Sequence, residues 1–139
     1  MLEIYIDGAT KGHPGDSGIG FLIKNNQERI EGYAYIGEST NHEAEFNALI
    51  YVLDYCQEHF QNEILSVRSD SKLVVDLVNR GCYKKDPYKS LVIEVNKKSE
   101  AFPHFFIKWI PEQENKHADR LARHAIHAKD KQINRSPSL

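Results

Sequence analysis

The sequence predicts one α/β domain in which helices cover the faces of a mixed β-sheet. Two observations carry this prediction. Three stretches with strand-like alternation open the chain, and the later segments alternate between helical and strand-like spacing of apolar residues. Consecutive strands with short connections form an antiparallel meander, whereas strands separated by helices are joined by right-handed crossovers. A chain of 139 residues is long enough for one domain with a buried core.

The first three strands are predicted from alternation and from the turn residues between them. Leu2–Asp7 alternates apolar and polar residues and places the carboxylate of Asp7 at the tip of the first strand. The stretch 8–18 contains several Gly and one Pro, and we expect a turn region there. Ile19–Ile23 is predicted as the second strand and Arg29–Ile36 as the third. These three strands form the predicted meander.

The rest of the chain alternates helices with two more strands. Helical spacing predicts four helices, at about Asn41–His59, Lys72–Asn79, Asp86–Lys98 and Asn115–His127. The fourth and fifth strands are predicted at Ile64–Arg68 and His104–Trp109. Residues 129–139 are polar and have no period, so we expect a flexible C-terminal tail after a domain that spans residues 1–128.

Composition excludes several classes of protein. The chain has no apolar run of membrane-spanning length and no signal-peptide pattern, so a cytoplasmic protein without membrane attachment is expected. Two cysteines make neither a disulfide framework nor a zinc site. Residues 1–69 carry 4 basic and 11 acidic side chains, whereas residues 70–139 carry 14 and 9. This asymmetry fits a nucleic-acid binder, although chance on a solvated surface explains it equally well.

One acidic residue in the first predicted helix has no structural explanation. Thr40 and Glu43 have the spacing of a capping box, which gives Glu43 a structural role. Glu45 shares helical spacing with Leu49 and Val52, so its carboxylate projects along the apolar stripe that faces the core. Carboxylates are rarely buried unless they are paired or hold a metal. No Lys or Arg lies near Glu45 in this helix, so its partner must come from elsewhere.

Three further acidic residues fall at the ends or flanks of elements. Asp7 and Asp70 end strands, and the carboxyl ends of strands are where α/β sheets place their sites. Asp119 flanks the apolar face of the last helix. Each has a structural alternative: Asp7 as a turn residue, Asp70 as a helix N-cap, and Asp119 in an ion pair with Arg123. Only Glu45 lacks one.

Four carboxylates in one place would require a cation. Their mutual repulsion raises their pKa values and penalises the fold unless positive charge compensates. Oxygen ligands select hard ions, above all Mg²⁺ or Mn²⁺. Two such ions about 3.5–4 Å apart clamp the attacking and leaving oxygens of a phosphoryl displacement. If the four side chains meet, the sequence therefore favours two-metal phosphoryl transfer.

Four motifs occur in order on the predicted elements: Tyr5-Ile6-Asp7-Gly8-Ala9, Thr40-Asn41 with Glu45, Ser69-Asp70-Ser71, and Asn115 with Ala118-Asp119-Arg120-Leu121-Ala122. In these motifs the chain resembles the type 1 ribonuclease H family over about residues 1–128. The resemblance implies a ribonuclease H-like fold with a five-stranded mixed sheet of order 3-2-1-4-5, in which strands 1–3 are antiparallel and helices flank the sheet.

The resemblance also implies an activity and a set of site residues. It implies hydrolysis of the RNA strand of RNA–DNA hybrids, giving 5′-phosphate and 3′-hydroxyl ends, with two Mg²⁺ or Mn²⁺ ions bound in the substrate-bound state. The catalytic residues and metal ligands would be Asp7, Glu45, Asp70 and Asp119. Residues that would contact the minor groove of the hybrid are Gly8, Ala9, Asn41, Ser71 and Asn115. His13 and His42 stand where Asn is common in the family, and they are further candidates for hydrogen bonds to the substrate.

Two departures from the family pattern bear on activity. Many members carry a histidine in the loop before the last helix, but residues 110–114 contain none, and His117 is not an obvious replacement. Some members also insert a basic protrusion. Here there is only a compact basic patch, in which Lys84 and Lys85 are candidate substrate contacts: Arg80, Lys84, Lys85 and Lys89. Weaker, salt-dependent binding of the hybrid is therefore expected.

Two other functions compete with this prediction. One is a weakly active or non-catalytic protein that binds RNA–DNA hybrids or double-stranded RNA, which the missing histidine favours and the four acidic residues oppose. The other is a 3′–5′ exonuclease on a related scaffold. It is disfavoured because Gly8-Ala9 follows Asp7 in place of an Asp-x-Glu motif. No repeat or heptad indicates a protein partner, and we expect a monomer.

Overall fold

The computed structural model describes residues 1–81 and 86–138, which form one six-stranded sheet with helices on both faces. The strands are β1 (Leu2–Gly12), β2 (Gly15–Lys24), β3 (Glu28–Ser39), β4 (Leu65–Ser69), β5 (Phe105–Trp109) and β6 (Lys131–Pro137). The helices are α1 (Asn41–His59), α2 (Lys72–Arg80), α3 (Lys89–Ser99) and α4 (Lys116–Ala128), with a single 3₁₀ turn at Glu112–Glu114. No helix of the described chain is long and apolar enough to cross a membrane.

The predicted strand order is confirmed and extended by one strand. The order in the sheet is β5-β4-β1-β2-β3-β6, so its first five strands have the order expected for the family. β1, β2 and β3 are antiparallel, and β4 pairs in parallel with both β1 and β5. The carboxyl ends of β1 and β4 therefore lie side by side at the same end of the sheet.

The first hairpin is longer than predicted. β1 and β2 pair from Glu3–Lys24 to Gly12–Gly15, so the expected turn region at 8–18 is strand apart from two residues. One glycine of that stretch has another role. A Cβ at Gly18 would lie 2.4 Å from the Ala122 carbonyl oxygen of α4, so glycine allows that helix to pack directly on the strand.

The prediction of a flexible tail at residues 129–139 is wrong for the part of that range which the structure describes. Residues Lys131–Pro137 form β6, which pairs antiparallel with β3 at the edge of the sheet. All seven side chains of β6 are exposed, which explains why the sequence shows no apolar period there. Arg135 forms an ion pair with Glu28 across the two strands. The domain therefore continues past the predicted boundary at residue 128.

The two faces of the sheet are covered by different helices. α1 packs against β1 and β2, and α4 packs against β1, β2 and β3 on the other face. Side chains alternate along β1, so Ile4 and Ile6 are fully buried in the core beneath α1. Asp7 has the opposite orientation and lies near Asp119 of α4. The alternation of β1 thus places one acidic side chain between the strand and the last helix.

Candidate active site

The start of α1 has the predicted capping box, and it fixes the position of Glu45. The Thr40 hydroxyl accepts from the Glu43 amide at 3.3 Å, and the Glu43 carboxylate accepts from the Thr40 amide at 2.9 Å. Glu45 is 12% exposed. Its Oε1 accepts a hydrogen bond from Asn41 Nδ2 at 2.6 Å, while its buried Oε2 has no hydrogen-bond partner. The capping box therefore holds a buried and only half-satisfied carboxylate in place.

Asp7 lies within β1, so the interpretation of Asp7 as a turn residue is wrong. Asp7 pairs with Gly20 of β2 and is 8% exposed. The Gly8 amide donates to Asp7 Oδ1 at 2.9 Å. On the other side of the strand, a Cβ at Gly8 would lie only 2.4 Å from the Ala44 carbonyl carbon. Glycine at this position therefore lets the N-terminal end of α1, which carries Glu45, approach the strand that carries Asp7.

Asp70 follows β4, and the N-cap interpretation is wrong for it because Ser71 caps α2. The Ser71 hydroxyl accepts from the Val74 amide at 3.2 Å. Asp70 is left to accept a hydrogen bond from Asn115 Nδ2 at 3.3 Å. The same amide group donates to the Ile6 carbonyl at 2.8 Å. Asn115 thereby ties the start of α4 to both β1 and the end of β4.

Asp119 in the first turn of α4 forms the predicted ion pair. Arg123 Nε lies 3.0 Å from both carboxylate oxygens of Asp119. This pair does not remove Asp119 from the site, because both residues line the same cavity as the other three carboxylates. Both interpretations of Asp119 are therefore compatible with the structure.

One open cavity of about 510 Å³ is lined by Asp7, Glu45, Asp70 and Asp119, and we refer to it as the carboxylate cavity. Three other predicted site residues also line it: Gly8, Ala9 and Asn41. Six lining residues were missed by the sequence analysis: Thr10, Lys11, Glu112, Arg123, Ile126 and His127. Strand alternation from Asp7 could have indicated Lys11, and helical spacing from Asp119 could have indicated Arg123 and His127.

Four predicted substrate contacts do not line this cavity: His13, His42, Ser71 and Asn115. Ser71 is buried at the cap of α2, and Asn115 is 1% exposed and donates a hydrogen bond to Asp70. His42 Nδ1 lies 3.8 Å from Glu45 Oε2, and its ring packs edge-on to Tyr88. His13 is in the turn between β1 and β2. Two further predicted contacts, Lys84 and Lys85, lie outside the described residues.

The carboxylates of the cavity make one another harder to ionise. Burial, the charge of Asp70 and the proximity of Asp119 raise the pKa of Asp7 to about 9. Burial also raises the pKa of Glu45, with a smaller contribution from the charge of Asp70. Without added positive charge, the folded protein therefore favours protons on these groups.

The donor set of the cavity fits a hard divalent cation. It offers carboxylate oxygens from four segments of the chain, and the buried Glu45 Oε2 accepts no hydrogen bond, so it is free to bind a cation. Among the described residues, no group of three or more His, Cys, Asp or Glu side chains is placed closely enough to hold a metal ion. Repulsion keeps like charges apart, and Mg²⁺ is usually bound by one or two carboxylates together with waters and substrate phosphates. The residues therefore fit a metal site that substrate completes.

Comparisons with known proteins show the family to which the chain belongs. A family model described as reverse transcriptase-like matches residues 5–125. EbsB of Enterococcus faecalis is 41% identical over 128 residues, an alignment that covers 91% of this chain and 94% of EbsB. Ribonuclease HI of Halobacterium salinarum is 30% identical over 128 residues, covering 90% of this chain and 64% of that protein.

A solved structure supports the fold assignment. LC11-RNase H1 in complex with an RNA/DNA hybrid aligns with a TM-score of 0.82 at 32% identity, covering 93% of this chain and 99% of that one. This chain therefore belongs to the type 1 ribonuclease H family.

Proposed function

We propose that this protein is a divalent-metal-dependent endonuclease that hydrolyses the RNA strand of RNA–DNA hybrids and leaves 5′-phosphate and 3′-hydroxyl ends. One observation carries the proposal: four carboxylates from β1, α1, α4 and the end of β4 line a single cavity. A fold that merely bound nucleic acid would gain nothing from mutually repelling groups. The RNA/DNA hybrid in the LC11-RNase H1 complex supports the choice of substrate.

Asp7, Glu45, Asp70 and Asp119 would hold Mg²⁺ or Mn²⁺, with two ions per site when substrate is present. Bound there, the ions supply an activated water and neutralise the charge that develops on the phosphoryl oxygens. The described hydrogen bonds use Oδ1 of Asp7, Oε1 of Glu45 and Oδ2 of Asp70. These bonds fix the orientation of each carboxylate, and we expect the second oxygen of each to face the cations.

The rim of the cavity suits recognition of a hybrid. Gly8, Ala9 and Asn41 present backbone groups and one short amide beside the carboxylates. Groups of this kind can contact the 2′-hydroxyl across a wide and shallow minor groove, and only that hydroxyl distinguishes RNA from DNA at a given site. We propose that these three residues contact the RNA strand, and that His13, His42, Ser71 and Asn115 act at the edges of the site or support it.

A second candidate is a weakly active or non-catalytic binder of RNA–DNA hybrids or double-stranded RNA. The observation that favours it is the hold of Arg123 on both oxygens of Asp119, which competes with a cation for that carboxylate. In addition, the link between β5 and α4 is a short 3₁₀ turn whose sequence contains no histidine.

We also propose that the protein acts as a monomer in the cytoplasm. The exposed large apolar side chains of the described residues are distributed over the N-terminus, α3, β5 and β6: Met1, Ile93, Phe106, Trp109 and Ile133. The low number of cysteines fits a reducing compartment.

Incubation of the full chain with labelled substrates tests the proposed function. We expect Mg²⁺ or Mn²⁺ to support cutting of the RNA strand of a hybrid, with 5′-phosphate ends, but not of single-stranded RNA or duplex DNA. Chelation by EDTA should stop the reaction, as should Asp70→Asn, which keeps the size of the side chain. Hybrid that is bound but intact under every metal condition would support the second candidate, and hybrid that is neither bound nor cut would contradict both.

A further inference from the structure

The exposed side of α4 carries a line of basic side chains next to Asp119. Its members are Lys116, Arg120, Arg123 and His127, all of them exposed, and we refer to them as the α4 stripe. At about 100° per residue, these four positions fall within a sector about 60° wide that begins about 40° from Asp119. The stripe therefore runs along the helix directly beside the carboxylate cavity.

Two cavities open onto the α4 stripe and share a wall. Arg123 and His127 line the carboxylate cavity. A second cavity, of about 350 Å³, is lined by Lys116 and Arg120 together with Gln113. Glu112 and Asp119 line both cavities. Basic side chains therefore lie on both sides of Asp119, which would hold a cation. A phosphate backbone that crosses the site would require basic groups on both sides.

Helix stability does not explain the basic residues at the start of α4. Lys116 is the first residue of the helix and Arg120 lies in its second turn, near the end where the helix dipole disfavours positive charge. Arg120 Nη2 lies 3.4 Å from His117 Nδ1, a ring nitrogen and not a carboxylate. Arg123 differs, because it neutralises Asp119. Lys116 and Arg120 are therefore the members of the stripe best suited to an external anion.

We propose that the α4 stripe binds the phosphate backbone of the nucleic acid, with Lys116 and Arg120 as direct phosphate contacts. This inference rests on the proposed function and names a contact surface for its substrate. From Lys116 to His127 the stripe is about 16 Å long. One strand of a duplex carries a phosphate about every 3.4 Å along its axis, so the stripe can meet several phosphates of one strand.

The salt dependence of binding tests the α4 stripe. The affinity of the full chain for an RNA–DNA hybrid is measured between low and physiological salt in EDTA, where the hybrid stays intact. Each phosphate contact adds about 0.9 to the magnitude of the slope of log K against log salt. The double variant Lys116→Ala/Arg120→Ala should therefore lower the magnitude of the slope by about 1.8.

The matched control removes the same charge elsewhere. Lys97 and Lys108 are exposed on α3 and β5, and Lys97→Ala/Lys108→Ala should leave the slope unchanged. Circular dichroism confirms that each variant is folded. If the double variant is not, Lys116→Gln and Arg120→Gln are measured singly, with an expected decrease of about 0.9 each.

Each outcome decides between the stripe and the proposed function. Equal slopes for the wild type and the Lys116→Ala/Arg120→Ala variant would overturn the α4 stripe, as would an equal decrease in the control. Binding without cleavage in Mn²⁺ would overturn the proposed endonuclease, while the difference between the slopes would still establish the stripe. A wild-type protein that binds no hybrid even at low salt would overturn both.

Discussion

Asp7→Asn is expected to lower the rate of hybrid cleavage by about 10³-fold or more and, in metal-free buffer, to stabilise the fold. Asp7 is the most buried of the carboxylates that would hold the cations, and an amide is a poor ligand for them. The amide oxygen can still accept the hydrogen bond from the Gly8 amide, so the local structure is kept. Cleavage rates and urea unfolding in EDTA measure the two effects.

The stabilisation should depend on pH in a defined direction. Burial raises the pKa of Asp7 from 3.8 to about 9, so between these values the folded state binds a proton that the unfolded state has lost. Stability therefore falls as pH rises through this range, by at most about 1.4 kcal/mol per pH unit for this one group. Asp7→Asn removes that contribution, and its advantage over the wild type should grow from pH 5 to pH 8.

Asp76→Asn is the matched control, because Asp76 is exposed on α2 and does not line the carboxylate cavity. It should change neither the cleavage rate nor the dependence of stability on pH. The account of Asp7 would be contradicted by an Asp7→Asn protein that cleaves hybrid normally. It would also be contradicted if that protein were less stable than the wild type at pH 8 without metal.

Gly8→Ala is expected to cost about 1–3 kcal/mol of stability and about 10²-fold in cleavage. The added Cβ would lie 2.4 Å from the Ala44 carbonyl carbon and 2.5 Å from the Glu45 amide nitrogen. Both are backbone atoms, so α1 must move away from β1. That movement carries Glu45 away from Asp7, and a displacement of about 1 Å is enough to disrupt a catalytic arrangement. Urea unfolding and cleavage rates measure the two losses.

Gly37→Ala separates loss of stability from loss of the site. Gly37 has φ of 80° and no atom within 4 Å of an added Cβ, so alanine there strains the backbone without displacing a helix. We expect a stability loss of about 1–2 kcal/mol with unchanged cleavage. If Gly8→Ala and Gly37→Ala lost activity in proportion to stability alone, close approach of α1 to β1 would not be what positions Glu45.

The site could be predicted from sequence wherever a side chain conflicted with its local environment. Glu45 stood out because helical spacing placed a carboxylate on an apolar stripe, and the structure shows its side chain 12% exposed with one oxygen that accepts no hydrogen bond. Asp7 and Asp70 were less clear, because a turn role also suited Asp7 and an N-cap role also suited Asp70. Their alternatives were resolved by strand pairing and by the cap that Ser71 supplies, both of which depend on tertiary structure.

Some features of the structure could not be predicted from the sequence, and each has a physical reason. β6 buries no side chain, so it lacks the period from which strands are recognised, and only its backbone pairing with β3 defines it. Gly18 belongs to a stretch that suggested a turn, although its role is close contact with α4. Arg123 and His127 line the carboxylate cavity, yet on a solvated helix face basic residues are ordinary.

Divalent cations are expected to neutralise the carboxylates of this cavity, and thermal unfolding with increasing Mn²⁺ tests this most directly. Because Mn²⁺ would bind the folded site only, the wild type should gain about 2.7 kcal/mol at 100 times the dissociation constant, seen as a rising unfolding temperature. Asp7→Asn should lose most of that gain. A wild-type unfolding temperature that is the same in EDTA and in millimolar Mn²⁺ would contradict the claim.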